Sequence, residues 1–362
     1  MNLSEKAKKH IDSCRFCWMC RHICPVGNAT GQERNNARAR ALCLSLVARG
    51  AESEEAVADN VYECALCGAC VKECVTGWDP VMFTLEARRE LALNGKLPAY
   101  VDKMLESYEN FGCVYGEIKL TKELEASVGR HAAKTGTLFL LSHAAVCRDA
   151  EDAARAVKAL EKSGLEFTVL AKEPSSGFDV RFLAGDVSET VEAAKKCAAV
   201  LNEYDKVIFF NPDDAKLVRR EYKEWDVRVT AQTLTYTEYL AGVLDKFKLY
   251  KSEIKLAPQD PFALGRELEE TEPLRKITEA AGVVTEMINN RRDTFMAGHT
   301  VMAEYMPAVV DMIASKRIGD AEGVGAEAIV CCSPSEHAAL KRSEGKLKVY
   351  SVSDLVLGAL NS

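Results

Sequence analysis

"CRFCWMCRHICP" (residues 14–25) and "CALCGACVKECV" (residues 64–75) place four cysteines at the same tight spacing twice. Cys14, Cys17 and Cys20 stand three apart and Cys24 follows four later; Cys64, Cys67, Cys70 and Cys74 repeat the arrangement. Two intervening residues let the backbone wrap one metal centre with three thiolates, and the fourth thiolate then points away from that turn. Structural zinc takes two C-x-x-C pairs, four ligands in all. Eight cysteines in two triple-plus-one runs fit 4Fe–4S clusters better. Disulfides fit worse, because the chain is long, has ample apolar content for a core and starts without an export signal.

The remaining composition narrows the class. The chain has 362 residues, 14 of them cysteine, and a formal charge of −7. Its length suggests two or three domains. An acidic balance argues against a nucleic-acid surface, which carries a basic stripe. The polar start "MNLSEKAKKHIDSC" lacks an apolar signal core. No apolar stretch approaches the ~20 residues that span a bilayer; "TLFLLSHAAVC" (137–147) and "KVIFF" (206–210) read as buried strands. These features predict a soluble, cytoplasmic chain, associated with a membrane only through a partner.

In two-cluster ferredoxins of this spacing the fourth cysteine ligates the other cluster. The same exchange here assigns Cys14, Cys17, Cys20 and Cys74 to one 4Fe–4S cluster, and Cys64, Cys67, Cys70 and Cys24 to the second. Val75 replaces the proline that follows Cys24, which loosens the turn without removing a ligand. Between the runs, Ala37, Ala41, Leu42, Leu44 and Val47 recur at helical spacing. Arg34, Arg38 and Arg40 either face a cluster, where cations favour its reduced form, or form a solvated face. Cys43 is expected in the core, His22 near a cluster as a tuning group, and Trp18 as a shield against water.

After about residue 117 short β-rich runs alternate with helical patterns, the signature of a parallel sheet with crossover helices. Strands are expected at 135–142, 165–171 and 206–210, helices at 149–164, 187–204 and 213–224. Residues 207–229 align with 328–350, and "TYTEYLAG" (235–242) with "SVSDLVLG" (351–358), so Asn211 meets Cys332 and Asp214 meets Ser335. This reads as a duplicated α/β module with a cleft between the copies. The glycine-bearing 319–327 reads as a loop, and Cys113, Cys147, Cys197 and Cys331 as buried small hydrophobes. The expected fold is α+β and multidomain: a helical ferredoxin-like domain over 1–116, then α/β modules over 117–245 and 246–362.

Together the runs, "ATGQERNNARARAL" (29–42) and "LEKSGLEFTVL" (160–170) resemble the iron–sulfur subunits of the heterodisulfide reductase, glycolate oxidase and anaerobic glycerol-3-phosphate dehydrogenase group. That resemblance implies two Cys-Cys-Gly modules that in catalytic members ligate noncubane iron–sulfur clusters. This sequence departs from it there. Ser175 and Ser176 precede Gly177, with Ser142, Asn211 and Asp214 at the other ligand positions. In the second module, "QDPFALGR" (259–266) and "NRRDTFMAG" (290–298) keep the frame, but Phe262, Met296 and Ala297 replace cysteines, and Ser335 the last ligand. No noncubane cluster is expected, since iron–sulfur chemistry needs soft thiolates.

No P-loop, dinucleotide fingerprint or Ser–His–Asp order is present. The expected function is a non-catalytic electron-transfer subunit. By resemblance, its partner is an FAD-containing dehydrogenase of 2-hydroxyacid type, with FAD held only by that partner, and a further electron-transfer or membrane-anchored subunit completes the complex. Two alternatives stand beside it. One is a reductase using a residual metal site in the second module, with Asp260, His299, Cys332, Glu336 and His337 converging. The other is a redox-sensing scaffold.

Overall fold

Residues 1–361 are described by a computed structural model. Up to residue 111 the secondary structure is helical: Glu5–Asp12, Met19–Ile23, Pro25–Thr30, Ala37–Ala48, Glu54–Tyr62, Ala69–Glu73, Pro80–Leu93 and Ala99–Phe111, with a 3-10 turn at Glu33–Asn35. Ser4, Asn36, Ser53 and Asp79 open four of these helices by accepting the amide three residues on, which satisfies one of the orphan donors of a helix start. Leu44, Val61, Phe83, Leu91 and Val101 are wholly buried between the helices. Leu42 is 44% exposed and Cys43 only half-buried at the core edge, so the apolar stripe is narrower than its spacing predicts.

The rest builds two parallel sheets. The first orders β1 (Thr137–Leu140), β2 (Lys206–Phe209) and β3 (Gln232–Thr235); the second orders β5 (Val283–Val284), β4 (Lys255–Gln259), β6 (Ala328–Cys331) and β7 (Lys348–Ser351) as β5-β4-β6-β7. The expected strand 165–171 shrinks to one bridge, Leu138 to Thr168. Past it, the Glu173 carboxylate, rather than a neighbouring backbone, takes the amides of Leu141 and Ser142 at 2.7 Å each. With that bridge counted, both sheets share one strand order. Two further expectations change. β1 stops at Leu140 because Ser142 caps the helix His143–Arg148, and 319–323 are not loop but the last turn of the helix Pro307–Gly323.

The duplication is visible in detail. Helices Pro212–Arg220 and Pro334–Arg342 follow β2 and β6, each with proline at its start. Thr235 with Glu238, and Ser351 with Asp354, form matching capping boxes. The helix starts shift the sequence alignment by one residue: Asn211 corresponds to Ser333, and Asp214 to Glu336. Helix Ala150–Ser163 packs on Val352–Leu357, and their counterparts Glu272–Ala281 and Tyr236–Gly242 pack on each other, the exchange expected of a two-fold relation. One apolar core runs through both units, and the Tyr236 hydroxyl reaches Ser353 at 3.2 Å. This seam is filled, whereas sequence alone suggested a cleft there. A cleft of about 910 Å³ lies elsewhere, between Pro80–Leu93 and the first unit's Arg181, Lys216 and Glu221, beside Gly68.

Candidate metal centre

The two cysteine runs fold as the same backbone unit. Phe16 and Leu66 have φ of 55° and 53°, and Trp18 and Gly68 of 69° and 71°. Each run then enters a five-residue helix, Met19–Ile23 or Ala69–Glu73. Cys24 and Cys74 close these helices at φ/ψ of −75°/114° and −77°/113°. Left-handed positions so placed make the concave backbone that suits an anionic guest. Past the fourth cysteine the runs diverge: Pro25 starts a helix, as its fixed φ favours, whereas Val75 is 93% exposed.

The two short helices pack against each other. Cys24, Cys64, Cys67 and Cys70 line one small pocket of about 20 Å³. Loss of water pushes the Cys24 thiol up to about 12, with Cys67 and Cys64 adding to the rise and Arg40 opposing it. Desolvation likewise lifts Cys70 well above its ordinary value, reinforced by Cys64, Cys67, Cys24 and Cys20. Cys20 in turn is raised by burial and by its neighbours Cys14 and Cys17. Behind Cys74, Trp78 Nε1 donates to the His10 carbonyl at 2.6 Å and the Asp79 amide to His10 Nδ1 at 3.2 Å, tying that segment to the helix before Cys14. Sulfurs that resist ionising together need a cationic centre to hold them as thiolates. A soft, all-sulfur donor set fits an iron–sulfur group.

The surroundings of the two turns differ. Ala65, Cys67, Gly68 and Ala69 are buried. Arg88 donates to the Cys64 carbonyl at 2.6 Å, and Arg266 Nε, from the second sheet unit, to the Cys67 carbonyl at 3.0 Å. Phe262 shares a pocket wall with Ala65 and Leu66. The first turn has no such cover. Cys17 is exposed, and Phe16, Trp18 and Met19 are 51%, 39% and 44% exposed. The Arg38 guanidinium lies 3.6 Å from the Trp18 ring centre and Arg21 5.6 Å from it. Of the three arginines singled out by sequence, Arg40 lines the four-sulfur pocket, Arg34 pairs with Glu63 and Arg38 with Glu33. His22 is exposed.

The five residues expected to converge in the second module are held apart by separate partners. Asp260 makes a two-point ion pair with Arg275 at 2.6 and 2.8 Å. Glu336 accepts from the Ala297 amide and Gln259, both at 3.0 Å, and burial raises it to about 8. The His299 ring lies 4.2 Å from that of Phe182, tilted to it, and burial lowers His299 to about 3. Cys332 is buried and raised well above an ordinary thiol by desolvation. His337 bonds to Asp149 of the first unit at 2.7 Å. Among the described residues, Asp149, Asp152 and His337 are the group that gathers ligand atoms within 4.8 Å. Asp152 also accepts from Ser351 and pairs with Arg155, which makes the group an ion-paired seam between the units.

The positions where the resemblance places first-module ligands do meet. Ser142, Ser175, Ser176, Asn211 and Asp214 line one small pocket, where Ser176 donates to Asp214. In the second unit Phe262, Met296 and Ala297 are buried in the core that also holds Cys20 and Cys67. Gly298 passes so close to Pro334–Arg342 that a Cβ there would stand 2.4 Å from the Ala339 side chain. Sequence reasoning gave no role to Arg88 or Arg266. Both are buried, yet each has charged neighbours in sequence (Glu86, Arg89 and Glu90; Glu267 and Glu269), so no local signal marked them.

The description "4Fe-4S dicluster domain" matches residues 10–78. A probable membrane-anchored ferredoxin of Chromohalobacter salexigens is 22% identical over 332 residues, covering 84% of this chain and 49% of that protein; the chain spans about half the length of that curated relative. A hypothetical protein from Helicobacter pylori, solved by crystallography, shares the fold, with a TM-score of 0.62 at 12% identity over 99% of this chain and 73% of that one. The chain is therefore an iron–sulfur protein with a ferredoxin-type N-terminal part. No helix among the described residues is long and apolar enough to cross a membrane.

Proposed function

We propose that this chain is the electron-relay subunit of a larger oxidoreductase, holding two 4Fe–4S clusters on crossed cysteine sets. Cys14, Cys17, Cys20 and Cys74 would hold the first, and Cys64, Cys67, Cys70 and Cys24 the second. When bound, such groups supply one-electron carriers whose potentials depend on charge, hydrogen bonding and exposure. The chain's part is to hold, insulate and present them. Arg40, Arg88 and Arg266 surround the second set with cations, and the last two fix the carbonyls of Cys64 and Cys67. The packing of helix Met19–Ile23 on Ala69–Glu73 supports holding the two sets side by side.

The observation that carries this reading is the asymmetry between matching turns. The chain's own second unit covers the turn at 64–70, while the turn at 14–20 presents Phe16, Trp18, Met19 and Cys17 to solvent. An exposed aromatic cluster flanked by Arg15, Arg21 and Arg38 suits docking of a redox partner with an acidic face. Resemblance to the heterodisulfide reductase and glycolate oxidase group supports an FAD-dependent dehydrogenase of 2-hydroxyacid type as that partner. The name of the membrane-anchored relative supports membrane association, here through a further subunit. The pocket of Ser142, Ser175, Ser176, Asn211 and Asp214 offers oxygen donors in place of thiolates, which favours relay over disulfide reduction at a noncubane cluster.

The test is anaerobic reconstitution followed by an iron count, and mixing with a separately purified, reduced FAD-dependent 2-hydroxyacid dehydrogenase. About eight irons, four for each cluster, and bleaching of the cluster absorbance on mixing are expected. A stable complex in which the clusters stay oxidised contradicts the reading, and iron well beyond eight redirects it to a residual catalytic site.

A further inference from the structure

Cys113 and Cys147 belong to neither cysteine run. They lie 34 residues apart in sequence, and their Sγ atoms stand 4.0 Å apart. Cys113 follows the left-handed Gly112 that ends Ala99–Phe111, and Cys147 occupies the last turn of His143–Arg148. We propose that Cys113 and Cys147 form a reversible dithiol–disulfide couple that exchanges with small-molecule disulfides, Cys147 attacking and Cys113 resolving.

Their environments differ in the way this division of labour needs. Cys113 is fully buried, and Cys147 is half-exposed beside exposed Arg148. The contact between the sulfurs lowers the Cys147 thiol and raises that of Cys113; burial adds to the rise at Cys113, and the Arg148 charge favours the Cys147 thiolate. Arg148 is itself held, by Glu304 at 2.6 and 2.8 Å and by the Tyr115 ring at 5.0 Å. A low-lying, accessible thiolate beside a cation is the form that reacts. An S–S bond is about 2.05 Å long, so the sulfurs must approach by about 2 Å. Cys113 lies outside any helix or strand, in the segment that would have to move.

The exchange balances. The Cys147 thiolate attacks one sulfur of a disulfide RSSR, forming a Cys147–S–SR bond and releasing RS⁻. Cys113 then loses its proton to solvent and attacks the Cys147 sulfur, breaking that bond and releasing the second RS⁻. Two protein thiols are oxidised by two electrons and RSSR is reduced to two thiols; a dithiol reverses the sequence. The bond would staple the end of the helical part to the first sheet unit. At the same junction Tyr115 donates to Asp179 at 3.2 Å and meets Thr300 of the second unit at 2.8 Å.

The test uses the full chain with its clusters in place, treated anaerobically with oxidised glutathione, alkylated, digested with trypsin and mapped by mass spectrometry. The expected product links fragment 104–119, which holds Cys113, to fragment 135–148, which holds Cys147; dithiothreitol removes it, and the cluster absorbance is unchanged. Cys113→Ser should retain glutathione on Cys147, and Cys147→Ser should show neither the link nor an adduct on Cys113. Glutathione persisting on Cys147 of the unsubstituted chain, or no reaction at either sulfur, overturns the proposal. The unsubstituted chain decides the matter if a variant fails to accumulate.

Discussion

Trp18 and Gly68 hold the same place in two matching turns, at φ 69° and 71°. Glycine takes that conformation without strain, whereas a residue with a Cβ gives up roughly 1–2 kcal/mol. A bulky, 39% exposed side chain kept at such a position points to use of the side chain itself. Trp18→Gly should therefore leave the iron content unchanged and leave unfolding stability equal or up to about 1 kcal/mol higher, since relief of strain competes with loss of the Arg38 stacking contact. The rate of reduction by the partner should fall about fivefold to tenfold, the loss of one interface anchor worth about 1 kcal/mol or more. Stopped-flow reduction of both proteins checks this, and an unchanged rate would remove the docking role.

Arg266 is the second unit's grip on the covered turn. It donates to the carbonyls of Cys67, Thr294 and Arg292. Arg266→Leu keeps much of the volume but leaves those carbonyls without their donor, at a cost of about 2–4 kcal/mol. Denaturant unfolding followed at the cluster band should show that loss, and Arg266→Lys should recover part of it. The potential of the cluster on that turn should fall as well, because a cation beside it is gone. Equal stability for Arg266→Leu would mean that the second unit does not support the turn.

Burial raises Asp214 to about 6, with Ser176 and Asn211 opposing the shift. A carboxylic acid raised in the folded state holds its proton more tightly there than when unfolded. Its contribution to stability is full below pH ~4 and is lost as pH climbs through about 6. Asp214→Asn should match the parent near pH 4 and exceed it by up to about 3 kcal/mol at pH 8, because the rise from 3.8 to about 6 spans about two pH units worth about 1.4 kcal/mol each. Asp213, raised to about 7 by burial and by Asp214, and Glu173, raised to about 8 by burial, leave a residual slope of the same sign. Unfolding midpoints measured from pH 4 to 8 read this directly. A variant less stable than the parent at pH 8 would show that the Asp214 carboxylate is needed in its charged form.

The legible part of this sequence was the part governed by spacing. The paired runs, the helical N-terminal part and the strand–helix alternation follow from periodicities of three, 3.6 and two, and the repeated module from the alignment of 207–229 with 328–350. Legibility ended where tertiary partners decide. Thr168 forms a single bridge because Glu173 intercepts the amides beyond β1. The alignment of the copies slipped by one residue because Pro212 and Pro334, not the strand residues, mark the helix starts. Asp260, Glu336 and His337 share a motif neighbourhood but turn to Arg275, Ala297 and Asp149, a choice that long-range packing makes. Cys113 and Cys147 meet across 34 residues, which no local spacing encodes.

The crossed assignment of the fourth cysteines is tested most directly by electron paramagnetic resonance of four reduced serine variants. Cys24→Ser and Cys67→Ser should perturb the same signal and leave the same residual spectrum; Cys74→Ser and Cys17→Ser should perturb the other. If Cys24→Ser instead leaves the residual spectrum of Cys17→Ser, each run holds its own cluster and the account of the centre is wrong.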